Sequence, residues 1–97
     1  MIYNNYLTHL RDKINKIDHD LIVLLSKRQS VVKKIAKIKI DQSLPIKDTK
    51  REHFLLTELI KLGEKYNINS TYIKNIFTTI IEYSIISQEK ILKKKII

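Results

Sequence analysis

Apolar residues recur along the first part of this chain at intervals of three and four, through Leu7, Leu10, Ile14, Ile17, Leu21, Leu24, Val31, Ile35 and Ile38. That is the spacing of a helical seam that faces another helix. One seam position between Leu24 and Val31 holds Arg28 instead. The pattern predicts a first helix from about Tyr6 to about Ile40, with Asn4 or Asn5 as its N-cap. Asp41 to Lys47, with Ser43-Leu44-Pro45 inside it, reads as a loop. Asp48 then caps a second helix running to about Lys65, apolar at Phe54, Leu55, Leu56, Leu59, Ile60 and Leu62, with Gly63 near its end. Asn67 to Asn69 form a turn, and Asn69 or Ser70 caps a third helix from about Thr71 to Leu92. Its stripe is Ile73, Phe77, Ile80, Ile81, Ser84, Ile85, Gln88 and Ile91. No stretch of useful length alternates as a strand would. The expected fold class is all-α: one very long helix, one short and one medium, in a single domain over residues 1–97.

The length of the first helix sets an expectation about assembly. About 35 helical residues span roughly 52 Å, whereas a compact chain of this size has a radius of gyration near 13 Å. A seam that long outruns what one small chain covers, so a homodimer with two-fold symmetry is expected.

Composition sharpens the candidate chemistry. Of the 97 residues sixteen are lysine and three are arginine (Arg11, Arg28, Arg51), beside nineteen isoleucines and a single glycine. Where any cation serves, this chain uses lysine, so its arginines are candidates for flat, two-pronged binding of carboxylate or phosphate. The net charge of +9 points to an anionic partner. The lysines are scattered rather than gathered with aromatics on one face, which disfavours a nucleic-acid groove, and Lys93-Lys94-Lys95 reads as a solvated tail. Without cysteine there is no disulfide framework and no thiolate site. The polar start is unlike a signal peptide and no window of the sequence suits a membrane span, so a cytoplasmic protein is expected. His9, His19 and His53 lack metal-ligand spacing and read as peripheral. There is no Gly-rich phosphate loop and no nucleophile–base motif, so neither metal nor cofactor is expected.

Polar groups interrupt the apolar stripes at a few places. Lys39 follows Arg28 on the first helix at roughly 16 Å and about 20° of rotation, so Arg28, Val32, Ile35 and Lys39 share a face. Two cations around an apolar floor suit a small dianion; alternatively Arg28 pairs with a core acid and Lys39 reaches out to solvent. Ser84 and Gln88 bring a hydroxyl and an amide into the third helix's stripe, for a ligand or for a hydrogen bond between helices. Asp48 and Glu52 stand one turn apart, an acid–base pair or simply an N-cap and a charge suited to the helix dipole. Arg11 lies about 25 Å from Arg28 along the helix. It is either an exposed cation beside Asp12 or a contributor to a partner's site.

These residues together resemble a known family. Leu10-Arg11-Asp12-Lys13-Ile14, Asp18 to Arg28, Lys37-Ile38-Lys39, Pro45-Ile46-Lys47-Asp48 with Arg51-Glu52, Leu59 to Gly63 and Tyr72 to Gln88 are similar to the all-helical chorismate mutases. The likeness is strongest to the mutase domain that begins the bifunctional chorismate mutase/prephenate dehydratases. It implies an intertwined helical homodimer with two sites that rearrange chorismate to prephenate in phenylalanine and tyrosine biosynthesis. By the same resemblance, Arg28 and the partner's Arg11 hold the substrate's two carboxylates, and Lys39 and Gln88 face the ether oxygen of the breaking bond. Glu52 holds the ring hydroxyl, Asp48 contributes mainly through its backbone, Ser84 adds a carboxylate contact and Arg51 supports these groups. Two other readings of the chain are a non-catalytic dimeric helical module and a basic nucleic-acid-binding dimer.

Overall fold

The computed structural model describes residues 2–96. Over those residues the chain forms α1 (Ile2–Asp41), α2 (Thr49–Lys65) and α3 (Ser70–Ile96), with no strand among them. None of these helices is long and apolar enough to cross a membrane. The chain divides into two compact units, one ending at Val31 and the other beginning at Val32.

The first unit is α1 up to Val31. The helix begins earlier than the sequence suggests, so Asn4 and Asn5 lie inside it rather than capping it; the capping position lies outside the described residues. Asparagine inside a helix costs less than about 0.7 kcal/mol, and each added residue brings another backbone hydrogen bond, so extension prevails over capping. The heptad seam stands exposed: Leu7 45%, Ile14 56%, Ile17 55%, Leu21 53% and Leu24 59%.

In the second unit α2 packs on α3. Their close approach is at Gly63, the chain's single glycine, which is buried. A Cβ placed there would lie 2.8 Å from Cγ1 of Ile73, itself buried on α3. Ile81 is buried as its stripe position predicts. On α1 the outcome differs from the sequence pattern. The seam residues Val31, Ile35 and Ile38 are exposed, while Val32 and Ala36, one helical turn apart on a neighbouring line, are buried.

The C-termini of α1 and α2 close in the same way. At the end of α2 the Ile68 N–H donates to Gly63 O at 2.9 Å and the Asn67 N–H to Glu64 O at 3.1 Å, with Asn67 left-handed at φ 58°. At the end of α1 the Leu44 N–H donates to Lys39 O at 2.7 Å and the Ser43 N–H to Ile40 O at 3.2 Å, with Ser43 at φ 54°. This paired bonding satisfies carbonyls that the helix leaves open and normally uses glycine at the left-handed position. Here serine and asparagine fill it. Asn69 caps α3 through a hydrogen bond from the Tyr72 N–H to its side-chain oxygen at 3.0 Å. α3 continues through Lys93, Lys94 and Lys95, which are exposed as expected but helical rather than a tail. Cations there complement the negative end of the helix dipole, and Lys95 Nζ meets Asp41 Oδ1 at 2.9 Å.

Gly63→Ala sets two effects against each other. Alanine favours the helix by about 1 kcal/mol, and the clash with buried Ile73 costs about 1–3 kcal/mol. The expected outcome is a lower urea midpoint; a higher midpoint would contradict the tight α2–α3 contact.

Candidate functional site

The candidate residues fall in both units. Arg11 and Arg28 belong to the first; Lys39, Asp48, Arg51, Glu52, Ser84 and Gln88 belong to the second. Arg11 is exposed on α1. Arg28 is partly buried, and desolvation lowers the pKa of its guanidinium below the ordinary arginine value. Burial disfavours the charged form, and a neighbouring anion would offset that cost.

In the second unit Lys39 sits where α1 gives way to the loop. Its ammonium donates to the carbonyl oxygen of Ile46 at 2.7 Å, so it turns toward the chain rather than out to solvent. An ammonium has three N–H donors, which leaves two for a ligand. Asp48 has the extended backbone of an N-cap, and its side chain accepts from the Arg51 N–H at 3.0 Å. The Asp48 carbonyl accepts from the Glu52 N–H at 3.0 Å. Both bonds secure the first turn of α2, and the Glu52 carboxylate in that turn also complements the helix dipole. The Arg51 side chain is exposed.

Ser84 and Gln88 are buried on α3, each 6% exposed. Each makes a hydrogen bond within its own helix. The Ser84 hydroxyl donates to Ile80 O at 2.9 Å, and Gln88 Nε2 donates to Ser84 O at 3.2 Å. Among the described residues, Oε1 of Gln88 and Oε2 of Glu52 are buried without a hydrogen-bond partner. Such an atom costs about 1–3 kcal/mol, and a ligand that donates to it removes the cost.

Glu52 also lines an open groove of about 250 Å³ between α2 and α3, with His53, Leu56, Thr78, Ile81 and Ile85 among the other walls. Ile81 and Ile85 supply the apolar surface that their stripe positions predict. His53, expected to be peripheral, is exposed yet stands on this wall. It follows Glu52 directly in the first turns of α2, the one sequence feature that points to this wall. Thr78 carried no signal beyond lying one turn from Ile81. Among the described residues no three His, Asp or Glu side chains gather as metal ligands would.

Comparison with known proteins adds to this geometry. The profile of the family described as chorismate mutase type II matches residues 10–89. A bifunctional chorismate mutase/prephenate dehydratase of Buchnera aphidicola (subsp. Acyrthosiphon pisum) is 47% identical over 91 residues, 94% of this chain and 24% of that protein. The Escherichia coli K12 protein of the same name is 35% identical over 97% of this chain and 24% of its own length. The chain thus spans about a quarter of these bifunctional relatives. A Methanocaldococcus jannaschii protein named chorismate mutase is 31% identical over 91% of this chain and 89% of its own length.

The unpaired amide oxygen has a measurable consequence. Gln88→Met keeps the shape; it gives up the 3.2 Å bond to Ser84 O, about 0.5–1.5 kcal/mol, and removes a buried acceptor without a partner, about 1–3 kcal/mol, so stability in denaturant unfolding should stay level or rise by up to about 1 kcal/mol. A loss of stability would show that the amide is already satisfied.

Proposed function

This chain belongs to the chorismate mutase type II family, and on that premise we propose that it isomerises chorismate to prephenate as a homodimer. One observation carries the reading. The relative named simply chorismate mutase is covered over 89% of its length, so the activity in that name belongs to a segment this chain spans almost end to end.

The residues suit the chemistry. The rearrangement is unimolecular and pericyclic, and it calls for no base, nucleophile or cofactor. The protein has to hold a compact conformer of a small dianion and stabilise the negative charge that develops on the ether oxygen. Arg28, partly buried at a seam position, offers a planar fork of donors to one carboxylate. The partner's Arg11 takes the second carboxylate. Within one chain, Arg11 and Arg28 are separated by about 25 Å of helix, so a shared site requires two copies. Two-fold pairing would also cover the exposed seam of α1.

Lys39 directs its remaining N–H donors at the ether oxygen, joined by the Gln88 amide. That role needs Gln88 to present its NH2 group, which in the unliganded chain meets Ser84 O; a half-turn of the amide exchanges its two ends. Glu52 Oε2, buried without a partner, accepts from the ring hydroxyl. Asp48 supports it from the backbone. The Ser84 hydroxyl swings from Ile80 O to a carboxylate, and Arg51 adds positive charge nearby.

Loss of chorismate absorbance tests the reading. Wild type should turn over, and Arg28→Ala and Arg11→Ala should each lose on the order of 10²–10³ in turnover. Co-refolding the two variants makes half the dimers mixed, each with one complete site of two. About a quarter of wild-type activity should therefore return. An inactive wild type would refute the activity, and no recovery in the mixture would refute the shared site.

A further inference from the structure

We propose that the turn after α1 is a positioning device for Lys39: the left-handed backbone at Ser43 folds residues 39–46 back so that the Ile46 carbonyl holds the Lys39 ammonium in place. The inference rests on the reading of Lys39 as the donor to the ether oxygen and adds what sets that donor's direction.

Lys39 is bonded to this segment at both ends. Its backbone carbonyl accepts from the Leu44 N–H at 2.7 Å, and its side-chain ammonium donates to Ile46 O at 2.7 Å. Both bonds close across Ser43, whose φ of 54° turns the chain and whose own N–H is tied to Ile40 O. A lysine side chain otherwise samples many rotamers, and its ammonium is a point charge without the fixed fork of arginine. A short charge-assisted bond to a carbonyl fixed in a turn removes much of that freedom before any ligand arrives. Donors already in place where charge develops contribute most to the transition state. Two residues beyond Ile46, Asp48 caps α2 and receives the Glu52 N–H. The same short segment therefore links the seats of Lys39 and Glu52.

The expected signature is in turnover rather than in binding. The substrate's carboxylates are held by other groups, so a misdirected Lys39 weakens an interaction made in the transition state and lowers kcat with little change in KM.

Ser43→Val places a β-branched residue in a left-handed position, which is strongly disfavoured. Asn67→Val does the same at the matching turn after α2, at φ 58°, and controls for lost stability. Ser43→Val should lower kcat by about 10- to 100-fold with KM within about twofold, while Asn67→Val, similarly destabilised, keeps its kcat. A second arm leaves every side chain near the turn intact. Semisynthesis replaces the amide between Ile46 and Lys47 by an ester, which weakens the Ile46 carbonyl as an acceptor; kcat should fall, and the 15N order parameter of the Lys39 ammonium should fall with it. Equal kcat in the two valine variants, or an ester protein with unchanged kcat and an equally ordered ammonium, overturns the proposal. If Ser43→Val does not fold, the ester decides. Wild type without turnover would instead overturn the reading on which the inference rests, so the two failures are distinguishable.

Discussion

The structure depends on an apolar seam that a single copy of the chain leaves open. Leu7, Ile14, Ile17, Leu21 and Leu24 are all about half exposed or more on α1. Burying a side chain of this size contributes about 1.5–3 kcal/mol, and a whole small domain is stable by only about 5–15 kcal/mol. The buried apolar residues within the chain, Val32, Ala36, Ile73 and Ile81, make a thin core, and no large side chain among the described residues is fully buried. Covering the seam therefore decides whether the chain is a stable fold. Under the proposed pairing, the same contact brings Arg11 to a site its own chain cannot build.

The second unit carries polar groups within its packed faces. Polar groups sit where apolar ones would stabilise more: Ser84 and Gln88 within the stripe of α3, and Glu52 on the groove. Glu52 and Gln88 each keep a buried acceptor atom without a hydrogen-bond partner. The fold tolerates this because its fixed points lie elsewhere, in the Asp48 and Asn69 caps, the paired turns at Ser43 and Asn67, and the close approach at Gly63.

Much of this was legible in the sequence. The three helices follow from the apolar period. Asp48 announces its cap, and Asn69 or Ser70 the next one, because a short side-chain oxygen before an apolar run favours capping there; the structure uses Asn69. Arg28 was visible because a cation in a seam breaks the period. The buried line on α1 was not legible. A strict heptad drifts by about 20° per repeat on a straight helix. By the end of α1 the seam and the line buried within the chain have separated, and Val32 and Ala36, not Val31 and Ile35, are covered. Nor was the Lys39–Ile46 bond legible, because it depends on a left-handed serine, which no local propensity favours. His53 read as peripheral for lack of metal-ligand spacing, and it is exposed; only the packing of α2 on α3 gives the groove on which it stands.

The most direct test of the central claim is thermal unfolding followed over a hundredfold range of protein concentration, with mass measured by sedimentation. If the open seam of α1 is covered by a second copy, the chain sediments as a dimer and its unfolding midpoint rises with concentration, because dissociation accompanies unfolding. A folded monomer whose midpoint is independent of concentration would contradict the account, because the seam would then be stable without a partner.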